Sequence, residues 1–328
     1  MIRYLGRRFL YGIVLIALIS VVAFVLIQLP PGDWLTSYVA SLRVQGAQIS
    51  DAAIAALKHQ YGFDQPMVGQ YFHWINGILH GNFGFSFSYG LPVATIIAQR
   101  LPITLLISTL TIITTYAIAI PIGMLSATRQ YSVFDYAASF IGFIGLSVPS
   151  FLVALILMFL AYRYFGLSIG GLNSPRFIGE PLTWGKFLDT ASHLPLPVLI
   201  ISLSGTAPLI RILRGSLLDE LQKPYVDTAR AKGMTERSLL WRYPVRVALN
   251  PIISTIGWLI PAVFSGQVIV SIVMGIPDMG PLLYNALIRQ DTFLAGSIVL
   301  ILSVLTIIGT LVSDVALMLI DPRIRLEK

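Results

Sequence analysis

The chain alternates between long stretches without a charged side chain and short blocks that hold nearly all of its charge. Phe9–Pro31, Leu101–Thr128, Tyr136–Tyr162, Thr190–Ile210, Val247–Pro277 and Thr292–Ser313 contain no Asp, Glu, Lys or Arg. The last run passes one aspartate, Asp314, and continues to Ile320. A helix needs about 20 mainly apolar residues to cross a bilayer, and a charge inside it is costly. No run alternates apolar and polar residues with period two, which argues against a membrane barrel. The pattern predicts an all-α integral membrane protein with six transmembrane helices.

Arg3, Arg7 and Arg8 precede the first run as they would in a signal peptide. The run is longer than an h-region, and Pro30-Pro31-Gly32-Asp33 offers no small-x-small cleavage site, so it reads as an uncleaved span. Two polar segments exceed what a connector needs. Residues 33–99 read as an extracytoplasmic lobe, with helix-like stretches at Asp51–Tyr61 and Val68–Leu79 and a Gly/Phe/Ser-rich turn from Gly81 to Gly90. Residues 211–246 form a charge-dense loop. The expected organisation is 1–32 (N-terminus and first helix), 33–99 (lobe) and 100–328 (a five-helix core that includes the loop).

Composition agrees. Of 328 residues 56% are hydrophobic and 11% are charged, against about 25% charged in soluble domains; this excludes an ordinary soluble enzyme. With no cysteine there is no disulfide, thiolate nucleophile or iron–sulfur cluster. The formal charge of +7 would suggest nucleic acid in a soluble protein, but its distribution explains it otherwise. With the N-terminus inside, segments 1–8, 129–135, 211–246 and 321–328 hold 15 of the 22 basic residues, while the acidic residues divide evenly. Bias in the basic residues alone is the positive-inside pattern. Both termini are therefore expected in the cytoplasm.

Catalytic chemistry is missing. No G-x-x-x-x-G-K-[ST] cradle for ATP phosphates occurs. The four histidines (His59, His73, His80, His193) have no metal-ligand spacing, and no pair of carboxylates lies within a span.

The loop is more informative than its charge. Pro224 suits the first turn of a helix, where its missing N–H costs nothing. Asp227 then stands near the positive end of that helix, and Arg230 and Lys232 near the negative end. Gly233 falls where the helix should stop in a left-handed turn. Thr235 and Glu236 suit the restart of a second helix, and Pro244 ends it ahead of the fifth span. The expectation is a helix–Gly–helix elbow, tethered too closely to two spans to enter a DNA groove.

These residues resemble a known family. Tyr225-Val226-Asp227-Thr228-Ala229-Arg230-Ala231-Lys232-Gly233-Met234 is similar to the E-A-A-x-x-x-G loop of ABC importer permeases, and more narrowly to the dipeptide/oligopeptide/nickel permease family. Further matches run in order along the chain: Arg7-Arg8 through Asp33, Tyr61–Pro66, Gly81-Asn82-Phe83-Gly84 and Leu101–Leu105. They continue through Gly145–Phe151 and Asp278-Met279-Gly280 to Asp321-Pro322-Arg323. Asp227 and Thr228 depart from Glu and Ala, and Tyr243–Arg246 replaces the general I-x-L-P ending, with Pro251 resembling the proline of this branch. The resemblance implies a multi-pass protein of a prokaryotic inner membrane that needs no cofactor of its own. It implies as partners a homologous second permease, an extracytoplasmic solute-binding protein and two ATP-binding subunits that carry ATP and Mg. It also implies that Tyr225, Asp227, Thr228, Ala229, Arg230, Ala231, Lys232, Gly233, Met234 and Glu236 couple this chain to the ATPases. The solute would be a peptide first, otherwise a nickel complex or an oligosaccharide.

Polar residues within the spans are the remaining candidates. Ser147, Ser150, Ser204, Gln267 and Ser271 are the candidates for a translocation path, although for the serines the favoured reading is that their hydroxyls serve their own helices or join neighbouring ones. Gln267 is the strongest, since a primary amide in lipid is costly. Asp314 reads as a structural partner in preference to a proton-coupling group. The rival function is an ATP-independent secondary carrier or channel, for which Asp314 is the lone intramembrane charge.

Overall fold

The computed structural model describes residues 2–28, 39, 50–60, 64–86, 88–166, 170–181 and 183–320. Pro30–Asp33, Tyr61–Phe63 and Asp321–Arg323, named above, lie outside the described residues. In chain order the helices are α1 (Ile2–Gln28), α2 (Asp51–Gln60), α3 (Met67–Leu79), α4 (Val93–Thr128), α5 (Val133–Ser147), α6 (Ser150–Phe165) and α7 (Trp184–His193). They continue as α8 (Pro195–Leu221), α9 (Pro224–Ala231), α10 (Glu236–Arg242), α11 (Pro244–Ser254), α12 (Ile256–Met274), α13 (Met279–Ile288) and α14 (Thr292–Ile320). An antiparallel hairpin of two-residue strands, β1 (Phe85–Ser86) with β2 (Leu91–Pro92), overlaps the predicted Gly-rich turn and ends two residues past it.

Among the described residues, four helical stretches are long and apolar enough to cross a membrane, within α1, α4, the α7–α8 pair and α14. Two bent pairs raise the number to six. Six agrees with the expectation, but two of the spans are bent. Tyr136–Tyr162 is divided into α5 and α6, 105° apart. Pro149 is the cause: its ring disfavours helical backbone at the preceding residue, and Val148 is extended (φ −94°, ψ 124°). Val247–Pro277 is likewise divided between α11 and α12 at Thr255, and α12 turns by 84° into α13, a helix the hydropathy pattern did not separate. Apolar length registers membrane depth and is blind to direction. At the other end of the fourth span, α8 runs on to Leu221, so the charged loop begins as a helix.

The chain divides into two compact units, one built mainly from Thr104–Gly280 with the C-terminal part of α14, the other from Gly6–Ile103 with Pro281–Leu305. In the second unit α1 meets α3 through aromatic rings, Phe24 lying 5.5 Å from Tyr71 and 5.6 Å from Trp74. Ser20 and Tyr71 share a hydroxyl hydrogen bond of 2.8 Å. Trp74 is buried against Gly296, where even a Cβ would stand 3.0 Å from the indole. The hairpin is fastened by Asp291, whose Oδ2 accepts from the Ser86 hydroxyl at 2.6 Å and the Ser88 amide at 3.1 Å. The same carboxylate accepts from Leu294 N at 3.3 Å, capping α14.

In the first unit, the packing of α8 against α5, α6, α11 and α12 forms the centre. Leu209, Leu213 and Leu217 of α8 are fully buried there.

Candidate functional site

The elbow is built by its own residues. Pro224 occupies the first turn of α9, with Asp227 in that turn and Arg230 in the last. Gly233 has φ +79°. Its N–H donates to the Arg230 carbonyl at 2.9 Å and the Met234 N–H to the Ala229 carbonyl at 3.3 Å. These two bonds make the Schellman closure of a helix end, which a left-handed residue completes. The hydrophobic contact that accompanies such a closure is present, for Met234 packs on a small core of Val226, Ala229 and Leu239. Thr235 takes the N-cap position of α10, although its hydroxyl bonds no backbone N–H there. Glu236 instead reaches back to α9, accepting from Arg230 Nε at 2.8 Å.

Ten residues were expected in this element, and they divide by direction. Ala229 and Met234 belong to its core. Tyr225, Asp227, Thr228, Arg230, Ala231, Lys232, Gly233 and Glu236 are exposed. Arg230 is tied to two carboxylates, Asp227 at 3.3 Å and Glu236. Its guanidinium holds the Glu236 carboxyl below the usual carboxylate range. The Tyr225 hydroxyl donates to Glu220; burial first, then this bond, pushes its pKa well above the ordinary value. Pro244 opens α11 directly after Tyr243, a residue in neither helix. A short closed body results, joined to the long α8 at one end and to the shorter α11 at the other.

The second cluster lies where α12 turns into α13. Asp278 is 1% exposed. Gln267 Nε2 and the Ser271 hydroxyl donate to its Oδ2 at 2.5 and 2.6 Å, and Gly280 N donates to Oδ1 at 2.8 Å. Gln267 Oε1 accepts from the Ser108 hydroxyl at 3.1 Å, and Met279 N donates to Thr104 Oγ1 at 2.9 Å, which ties the turn to α4. Gly280 is required by close approach: a Cβ there would stand 2.9 Å from the Val268 Cα. Three donors converge on one carboxylate, an arrangement suited to fixing a bend between helices.

The structure therefore brings Gln267 and Ser271 together and leaves the other three apart. Ser147 is exposed and Ser150 half-buried, on either side of the Pro149 break. Ser204 is exposed and donates to the Ile201 carbonyl of its own helix at 2.9 Å, as Ser202 and Thr206 do to Leu199 and Ser202. Asp314 is half-buried on α14. Three carboxylates that sequence reasoning placed in outer connectors are buried instead: Asp189, Asp278 and Asp291. The ion pair of Asp135 with Arg214, 2.8 Å across, was also missed. The signal for Asp278 was its place two residues before Gly280, between two apolar runs; Asp189 and Asp291 carry no comparable local mark.

Comparison with known proteins follows the geometry. Residues 119–326 match the family described as binding-protein-dependent transport system inner membrane component, and residues 1–108 match the N-terminal family of the same membrane component. The chain is 34% identical over 326 residues to the oligopeptide transport system permease protein AppB of Bacillus subtilis, covering 99% of both. It is 31% identical over 320 residues to the nickel import system permease protein NikB of Staphylococcus aureus, covering 98% of this chain and 91% of that one. With the dipeptide transport system permease protein DppB of Escherichia coli it shares 28% identity over 344 aligned residues and the full length of both.

Proposed function

This chain belongs to the binding-protein-dependent transport inner membrane components, and from that premise we propose that it is the permease subunit of an ATP-driven importer for small peptides. A soluble binding protein outside delivers the solute, and separate subunits hydrolyse ATP. The observation that supports this reading best is the elbow: a closed element whose outward residues are mostly polar and whose two ends lead into α8 and α11. Such a lever transmits a movement imposed on it, because a packed element shifts as a body and does not deform. Asp227, Thr228, Ala231 and Lys232 face outward and are the proposed contacts for the ATPase. Arg230 and Glu236 keep α9 and α10 in one orientation. Coupling needs contacts that differ between two states, and the elbow offers a surface on which they can differ while its own core stays closed.

In this reading Ser147 and Ser150, at the Pro149 break, line the path, and the Asp278 network with Gln267 and Ser271 holds the bend between α12 and α13. Both termini and the elbow lie in the cytoplasm, and a second homologous permease completes the pathway. The test is uptake of a labelled dipeptide into vesicles reconstituted with the protein and its copurified subunits. Uptake is expected to require ATP on the elbow side. Uptake driven by an ion gradient without ATP would establish the secondary-carrier reading in its place.

A further inference from the structure

Helix α7 has its apolar side outward. Trp184, Phe187, Leu188 and Ala191 are exposed, and the spacing i, i+3, i+4, i+7 puts them on one face. Trp184 is 74% exposed, Phe187 51% and Leu188 52%, and the two rings stack 5.3 Å apart. The opposite side is polar and already satisfied by the chain that precedes the helix. Asp189, 8% exposed, accepts from the Ser174 amide and hydroxyl at 2.6 Å each. Thr190 donates to Asn173 Oδ1 at 2.5 Å, and the Lys186 ammonium donates to the Glu180 carbonyl. A helix whose free side meets water has the reverse arrangement. An outward apolar face marks a contact surface.

The position of the helix says what covers that face. Leu194, between α7 and α8, keeps helical angles (φ −71°, ψ −38°), and Trp184–Leu221 is one membrane-crossing stretch of 38 residues. Such a stretch is about 57 Å long at 1.5 Å per residue, nearly twice the roughly 30 Å of a hydrocarbon core. The uncharged run Thr190–Ile210 is about 32 Å long and fills that core. Leu188 and Phe187 then stand about 3–5 Å beyond the end of the run and Trp184 about 9 Å. The headgroup layer extends about 5–8 Å on each side of the core, so all three fall within it or at its edge. Tryptophan is enriched at this depth. The exposed row also continues along α8 through Pro195, Leu199 and Leu203, so one apolar strip runs from the core into the boundary.

We propose that the Trp184, Phe187 and Leu188 face of α7 lies in the headgroup–acyl boundary of the leaflet opposite the elbow, with lipid as its partner. An amphipathic helix sinks its apolar face about 5–10 Å into that boundary. A soluble protein would cover the face only while docked and would return it to water at each release, whereas lipid is always present. The proposal rests on the membrane reading and is independent of how transport is powered.

The chain contains no cysteine, so a nitroxide can be attached at one chosen site. Phe187→Cys, Leu188→Cys and Lys186→Cys are each labelled and reconstituted, with whatever subunits copurify, into phosphatidylcholine vesicles. The unsubstituted chain carried through the same labelling is the blank. Collisions are then measured with oxygen, which concentrates in lipid, and with a water-soluble nickel chelate. The ratio of oxygen to nickel accessibility is expected to be several-fold higher at the Phe187 and Leu188 sites than at the Lys186 site on the other side of the helix. Equal ratios at the three sites would overturn the proposal, since the helix would then have no lipid-facing side. Protection from both reagents at the Phe187 and Leu188 sites would overturn it in favour of a protein subunit. Retention in the vesicles through an alkaline wash, with an unchanged thermal midpoint, reads insertion and folding separately, so a failed span is distinguished from a failed proposal.

Discussion

Replacing Gly233 by valine perturbs the elbow at one backbone angle. The residue has φ +79°, and a Cβ built on it meets nothing within 4 Å. No clash with a neighbour enters, and the penalty is the backbone conformation alone. For an L residue that conformation costs about 1–2 kcal/mol, and a β-branched side chain belongs toward the top of the roughly 1–3 kcal/mol range for strained positions. About 2 kcal/mol is a factor of some 30 in a local equilibrium. It acts against a small core, Val226, Ala229 and Leu239 under Met234, and the two hydrogen bonds of the closure. The turn should therefore open often enough to disconnect α9 from α10, while helix packing elsewhere is untouched. Gly233→Val is expected to insert normally, to lose solute uptake roughly tenfold, and to lose binding-protein-stimulated ATP hydrolysis in parallel. Gly233→Asn should stay within a few-fold of wild type, since Asn accepts positive φ. The measurements are uptake, ATPase rate and protein level in membranes. Wild-type transport in both variants would refute the reasoning and reduce the elbow to a charged connector.

Asp278→Ala should leave the donors of Gln267, Ser271 and Gly280 without their shared acceptor, at a cost of at least about 2 kcal/mol; a thermal midpoint in detergent unchanged from wild type would contradict this. Gly280→Ala should cost about 1–3 kcal/mol, because its Cβ meets the Val268 backbone. Gly215→Ala, with nothing within 4 Å, should be neutral or slightly stabilising in the same measurement. A reporter active only outside the membrane should work when fused after Gly171 and be silent after Gly233; activity after Gly233 would reverse the orientation.

The elbow was legible because everything that shapes it lies within about twenty residues. Pro224, Gly233 and Pro244 restrict backbone angles at their own positions, and such local chemistry can be read without a partner. The helices of the lobe were legible for the same reason, Met67–Leu79 falling within a residue of the expected stretch. The Asp278 network was not. An aspartate between apolar runs looks like a connector in contact with water, and only packing against α4 and α12 turns it into a buried acceptor. The Pro149 bend lay between: the proline was visible, but the apolar residues on both sides were sufficient for a single straight span. Buried Asp135 depends on Arg214, a partner on another helix, and no local pattern announces that pairing.

The bond between Ser86 and Asp291 joins residues 205 positions apart. A ribosome adding about 5–20 residues each second needs roughly 10–40 s to travel from one to the other. Throughout that interval the hairpin exists without the carboxylate that holds it, and Trp74 without Gly296. The lobe is thus begun first and finished last. A nascent or truncated chain ending before Asp291 would lack both contacts and leave this part of the fold incomplete.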